Sequence, residues 1–284
     1  MKSVRYMLCI LFILILSGVS NGHENNSPFS GAIGELLKVH HAHIEDEQNI
    51  SFTFYNDFQK EEDSVKRSAF ETSLEFATTW NGDFSLGSEI SISFSDKGNI
   101  DDRYSLEDIE ILPIKYAFIN QPERILTGAL SVGLPTGDDT NGFGEDQTKL
   151  GALLFFDQAW RNWFIGVNAE LESVVSGPTE TELEFALGLS YSFIKGTGQG
   201  IAPSKPKQSI VPVLALELIN ENVLSGLEKE NDSTTILPSI QLWHPASGWQ
   251  ASLGGEVPIS SYKNNGFQIH FQIRNHLDWG RWLQ

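Results

Sequence analysis

One pattern limits this chain more than any other: apolar residues at every second position, sustained for ten residues or more. The stretch TELEFALGLSYSF (181–193) is the clearest case. It sets Leu183, Phe185, Leu187, Leu189, Tyr191 and Phe193 against Glu182, Glu184, Ala186, Gly188, Ser190 and Ser192. Successive side chains of a strand point to opposite faces, so this segment has one apolar face and one polar or small face. The same alternation runs through 67–80, 84–95, 123–137, 163–174 and 266–279. It recurs less regularly in 48–57, 107–119, 148–158, 209–219, 234–243 and 247–259.

These make twelve expected strands, most of them 10 to 14 residues long. Strands of globular proteins average about 5–6 residues, whereas a tilted strand needs roughly 9–11 to cross a lipid core. The connections sort by length as well. Short ones (81–83, 120–123, 161–162, 244–247) follow the second, fourth, sixth and tenth strands. Long polar ones (57–66, 96–107, 137–149) follow odd-numbered strands, and 195–208 breaks the rule by being long where a short turn is expected. Short periplasmic turns and long outer loops are the habit of outer-membrane barrels. Trp80, Tyr116, Trp160, Trp163, Tyr191, Trp243, Trp249 and Trp279 fall near strand ends, where an interfacial girdle would lie. The expected fold is all-β: one antiparallel transmembrane β-barrel of about twelve strands over 48–284, its apolar stripe facing lipid.

The N-terminus reads as an export leader. Lys2 and Arg5 precede an apolar run of about eleven residues, Tyr6 to Leu16, and small residues follow. That run is too short for a spanning helix. Cleavage fits after Ser20 or after Gly22, giving a signal peptide over 1–22 and a periplasmic segment over 23–47. Cys9, the one cysteine, would leave with the leader, so the mature chain would hold no disulfide.

With 19 Lys+Arg against 37 Asp+Glu, the chain lacks the clustered positive charge that phosphate backbones require, and nucleic acid is not an expected partner. No Gly-rich phosphate loop, cysteine zinc spacing or His-Glu-x-x-His is present. No cofactor is therefore expected.

The segment EDIEILPIKYAFI (107–119), followed by LTGALSVGLPTGDDTNGFGE (126–145), resembles the outer-membrane barrels grouped as the putative MetA-pathway of phenol degradation family, often called "transporter". The residues that carry the likeness are Asp108, Lys115 and Tyr116, then Pro135, Thr136, Gly137 and Asp138; Glu107 stands where the family has glycine. The resemblance implies a barrel admitting small or hydrophobic solutes. It carries over no functional residues.

The polar face is rich in carboxylates. Lumen-lining candidates are Glu71, Glu75, Glu89, Glu170, Glu172, Glu182, Glu184, Glu217 and Glu256, with Lys115, Lys149, Arg274 and His270 as cationic or titratable members. Acidic linings favour cations, so the leading expectation is a channel for small hydrophobic or cationic solutes. A plugged structural or ligand-binding barrel is the alternative. A lipid hydrolase using His270 or His276 with Ser252 is a distant third, lacking any signature, and no enzyme activity is expected. His40, His41 and His43 form a His-rich group just before the first strand that could ligate a metal; a solvated periplasmic tail is the plainer account. Expected partners are outer-membrane lipid and lipopolysaccharide, the barrel-assembly machinery and a small-molecule solute. The expected location is the cell outer membrane.

Overall fold

The structure, a computed structural model, describes residues 36–39, 42, 49–60, 66–79, 86–96, 104–106, 108–121, 124–137, 146–177, 179–193, 210–226, 232–244, 249–260 and 267–278. Through Ser105, and again from Arg274 onward, the strands are described by their backbone. The expected leader lies outside these residues.

Thirteen strands form one antiparallel sheet among the described residues. They are β1 (Asn49–Lys60), β2 (Lys66–Thr79), β3 (Leu86–Asp96), β4 (Tyr104–Leu106), β5 (Ile109–Gln121), β6 (Arg124–Leu134) and β7 (Lys149–Trp160). After them come β8 (Trp163–Val174), β9 (Thr181–Ser192), β10 (Val211–Ser225), β11 (Asp232–His244), β12 (Trp249–Pro258) and β13 (Gln268–Asp278). From β5 to β13 each strand pairs with the next. β3 pairs with β2 and β5, and β1 pairs with β2 and β13. Each of the twelve long strands therefore has a neighbour on both sides, which is how a barrel removes its edges.

Two boundaries differ from the sequence expectation. Strand β4 lies in a stretch read as loop. Past Ser91, β3 no longer pairs with β5, and its Phe94–Asp96 end pairs instead with Tyr104–Leu106. Strand β10 runs on to Ser225 rather than ending near 219. Its extension opens with the polar residues Asn220, Glu221 and Asn222 and is held by side chains: Asn220 Nδ2 donates to Thr234 Oγ1 at 2.9 Å, and Ser233 Oγ donates to Glu221 Oε2 at 2.9 Å. Alternation of hydrophobicity fades where a strand leaves the apolar zone, so pattern alone stops short. Strand β5 shifts register twice against β6, between Ile111 and Ile114 and between Ala117 and Ile119. Pro113 lies within the first shift, where a residue without an N–H cannot complete the ladder.

The two faces of the sheet are inverted relative to a soluble protein. On β9, Phe185, Leu187 and Leu189 are exposed while Ala186, Gly188, Ser190 and Ser192 are buried. On β10, Leu214 and Leu216 are exposed while Glu217 is fully buried. Phe118 and Trp160 are more than 60 % exposed. A continuous apolar outer face is costly in water and suited to lipid. Aromatics gather at one end of it: the Trp163 and Tyr191 rings lie 4.8 Å apart, Tyr191 and Phe193 5.3 Å apart, and Arg161 stacks over Trp160. Arg161 takes a left-handed φ of 58° in the two-residue turn between β7 and β8. Trp243, expected in this girdle, instead packs against the inner apolar cluster.

Candidate functional site

The inner face holds a short piece of chain. Leu36, Leu37, Val39 and Ala42 belong to the stretch expected as a periplasmic segment. The structure buries all four against the inside of the sheet. Two carboxylates hold this strap by its backbone. Glu217 on β10 accepts from the N–H groups of Leu37 (Oε1, 2.9 Å), Lys38 (Oε2, 2.7 Å) and Val39 (Oε2, 2.8 Å). Asp157 on β7 accepts from the Ala42 N–H through Oδ2 at 2.7 Å. The Ala42 carbonyl accepts from Thr127 Oγ1 on β6. A buried hydrogen bond contributes about 1 kcal/mol, and leaving its amide unmet would cost about 1–3 kcal/mol, so the strap is held by several such bonds, not by apolar contact alone.

The register explains why the strap lies where it does. Asp157 sits opposite Gly166, Gly166 opposite Gly188, and Gly188 opposite Glu217. Across four adjacent strands the inner face thus reads acid, glycine, glycine, acid. A Cβ on Gly188 would collide with Leu36 Cδ1, and one on Gly166 would lie 3.1 Å from Val39 Cγ1. A little further round, a Cβ on Gly254 would lie 2.6 Å from Leu37 Cδ1. These glycines open the notches that the strap's side chains fill, and the two acids at the ends of the row capture its amides.

The strap also makes an ion pair. Lys38 Nζ lies 3.5 Å from Glu256 Oε2, and the same oxygen is 2.8 Å from His270 Nε2. Ser252, the hydroxyl of the hydrolase reading, takes the Gln250 Nε2 donor at 3.2 Å. Lys115 is buried on β5, 5.5 Å above the Phe155 ring, and interacts electrostatically with Asp157.

Further acids cluster toward the β8–β9 connection, with Glu184 near enough to feel the strap's Lys38. Glu170 stands opposite Glu184, Glu172 opposite Glu182, and Glu184 opposite Glu221. Glu170, Glu172 and Glu184 are half-buried; Glu182 is exposed. Like charges directly opposite on a sheet are destabilising, so this ring costs the fold something. Lys149 relieves it in part, with Nζ 3.2 Å from Glu172 Oε1.

The side chains of Glu71, Glu75, Glu89 and Arg274 lie outside the described residues. By backbone register, Glu71 is opposite Tyr55 and Ser95, Glu75 opposite Ser51 and Ser91, Glu89 opposite Ala77 and Leu112, and Arg274 opposite Thr53 and Gln250. His40, His41 and His43 also lie outside the described residues. Among the described residues no group of His, Cys, Asp and Glu gathers into a metal cage.

The residues of the family resemblance divide into different jobs. Asp108 Oδ1 accepts from the Gly137 N–H at 2.8 Å, and Thr136 Oγ1 accepts from the Ile109 N–H at 2.9 Å. Together they clasp the start of β5 to the end of β6. Lys115 points inward, whereas Tyr116 is outward and edge-on to Phe118 at 5.2 Å. Pro135 is exposed next to the clasp, and Asp138 lies outside the described residues. Sequence reasoning missed Asp157 and the strap. The available signal was an acid at an inward position of β7, with glycine at inward positions of β8 and β9.

No family model matches the chain, and no curated protein matches it. Solved structures do. An outer-membrane channel from Pseudomonas putida F1 superposes with a TM-score of 0.57 at 12% identity, covering 86% of this chain and 98% of that one. The KdgM porin gives 0.46 at 7% identity, covering 80% and 99%. The NanC porin gives 0.47 at 10% identity, covering 78% and 97%. At 12% identity the first likeness is one of fold: this chain has the fold of an outer-membrane β-barrel.

Proposed function

We propose that this chain is an outer-membrane channel for small solutes, held shut by its own strap and opened when the strap is displaced. The observation that carries the reading is the capture of four strap amides by Glu217 and Asp157 on the polar inner face. A buried segment must have its amides met wherever it is held; these four are met by side-chain carboxylates and not by a strand ladder, a contact that a competing donor can take over. Here the strap meets acids and glycines as well as inward apolar side chains such as Phe164, Val213 and Leu237, so its hold is part polar and part apolar. The half-buried glutamates on β8 and β9 would then line the approach and favour cations.

Placement in the putative MetA-pathway family, export by the N-terminal leader, residence in the outer membrane, and contact with lipid and lipopolysaccharide belong to the same reading. It is supported by the clasp of Asp108, Thr136 and Gly137 and by the apolar outer face.

The test is single-channel conductance of the refolded protein in a planar bilayer under a salt gradient. Intermittent openings with a cation-selective reversal potential are expected, and Gly188→Leu, which evicts Leu36, should hold the channel open. Folded protein that never conducts, in either form, would turn the reading to a plugged structural barrel.

A further inference from the structure

The row Asp157–Gly166–Gly188–Glu217 has the parts of a ligand site, and its present occupant is the chain itself. The strap offers the two acids N–H donors, three at Glu217 and one at Asp157, and it brings the Lys38 charge to act on Glu217. Both acids are fully buried. A replacement occupant must supply donors and positive charge, because a buried carboxylate left without either is costly.

One acceptor is unmet even with the strap in place. Asp157 Oδ1 is buried without a hydrogen-bond partner among the described residues. It lies 3.5 Å from where a Cβ on Gly166 would stand, so it is aimed into the notch. The strap satisfies Glu217 and leaves Asp157 half satisfied, as a stand-in would.

Shape narrows the occupant further. Two glycines form the floor between the acids, so the space fits a slender chain and not a ring bearing bulky groups. Three strand spacings separate the Asp157 and Glu217 backbones, roughly 14 Å. That length suits two or more ammonium groups on one chain better than a single one. Lys115 already interacts with Asp157, while Lys38 leaves with the strap and takes one positive charge away from Glu256.

We propose that the strap is an internal stand-in for a linear polyamine, which binds along the Asp157–Gly166–Gly188–Glu217 row and displaces it. This rests on the reading of a strap-closed channel and names the solute class that the row would recognise.

The experiment uses the full chain carrying Val39→Cys, a buried strap position, with spermidine as the probe. Tetramethylammonium at equal ionic strength, a cation without N–H donors, is the control. Spermidine should accelerate thiol labelling of the strap about tenfold, and the control should not. Glu217→Gln and Asp157→Asn should each weaken spermidine binding to the folded protein, measured by calorimetry, about tenfold. Thr136→Val, at the clasp between β5 and β6, should leave it within about twofold. Equal responses to the two cations, or binding indifferent to both Asp157→Asn and Glu217→Gln, would overturn the proposal. Should Glu217→Gln fail to fold, Asp157→Asn decides alone. A Gly188→Leu channel that conducts while calorimetry finds no spermidine binding would sink the polyamine site and leave the channel. A protein that binds spermidine but never conducts would do the reverse.

Discussion

Two groups of acids share the inner face, and they are built on opposite terms. At the strap, Asp157 and Glu217 stand apart, separated by two glycines, and each meets backbone amides at hydrogen-bond distance. In the outer ring, Glu170, Glu172, Glu182 and Glu184 stand directly opposite one another, with Lys149 beside Glu172. The first arrangement gives each carboxylate backbone donors and removes it from water; the second leaves carboxylates half-buried or exposed and face to face, without backbone donors among the described contacts. A residue type read from sequence is the same in both places. What differs is the partner, and the partner decides whether a carboxylate acts as an anchor or as a source of field.

The comparison can be broken most sharply at Gly188. Gly188→Leu puts carbon where Leu36 Cδ1 lies, and steady conductance should replace a mostly closed channel; an unchanged closed state would mean that the strap is not the barrier. A smaller effect is expected at Glu217. Glu217→Gln weakens three amide bonds at once, and labelling of a cysteine at Val39 should accelerate about tenfold or more, since each buried hydrogen bond lost costs about 1 kcal/mol. Below that comes the ring. Glu172→Gln should lower cation preference in the reversal potential, most at low salt and little at 1 M, where the Debye length is about 3 Å. The effect of Glu217→Gln should hardly depend on salt, because that carboxylate is buried; similar salt dependence for both would erase the distinction. The smallest change is at the rim. Thr136→Val removes the bond to the Ile109 N–H and should cost about 1 kcal/mol in denaturant unfolding with selectivity unaltered.

Much of the fold was legible because lipid imposes a strict rule. Leu187 and Leu189 must face outward, so Ala186, Gly188 and Ser190 must face inward, and the period of two follows. Where the rule lapses, reading lapsed too. The polar end of β10 at Asn220–Ser225 and the short β4 carry no apolar stripe, and each is held by partners that a single strand's sequence does not display. The strap was hidden for a related reason. Leu36, Leu37 and Val39 form a short apolar run without strand or helix periodicity, and only the register of β7 to β10 brings its receiving surface into one row. Glu217, expected to line the lumen, is buried, and its engagement with backbone amides depends on a segment some 180 residues earlier in the chain. Trp243 shows the same gap: an aromatic near a strand end reads as girdle, yet here it turns to the inner cluster.

The pairing of β1 with β13 sets a timetable. Six residues separate Ala42 from Asn49, where β1 begins, so the strap travels with the first strand. That strand finds its second neighbour only after the last strand has been made. Bringing such distant segments together carries the largest loop-closure cost in the molecule. Sealing the wall and seating the strap are therefore linked events in assembly, and a chain that mislays one stands to mislay the other.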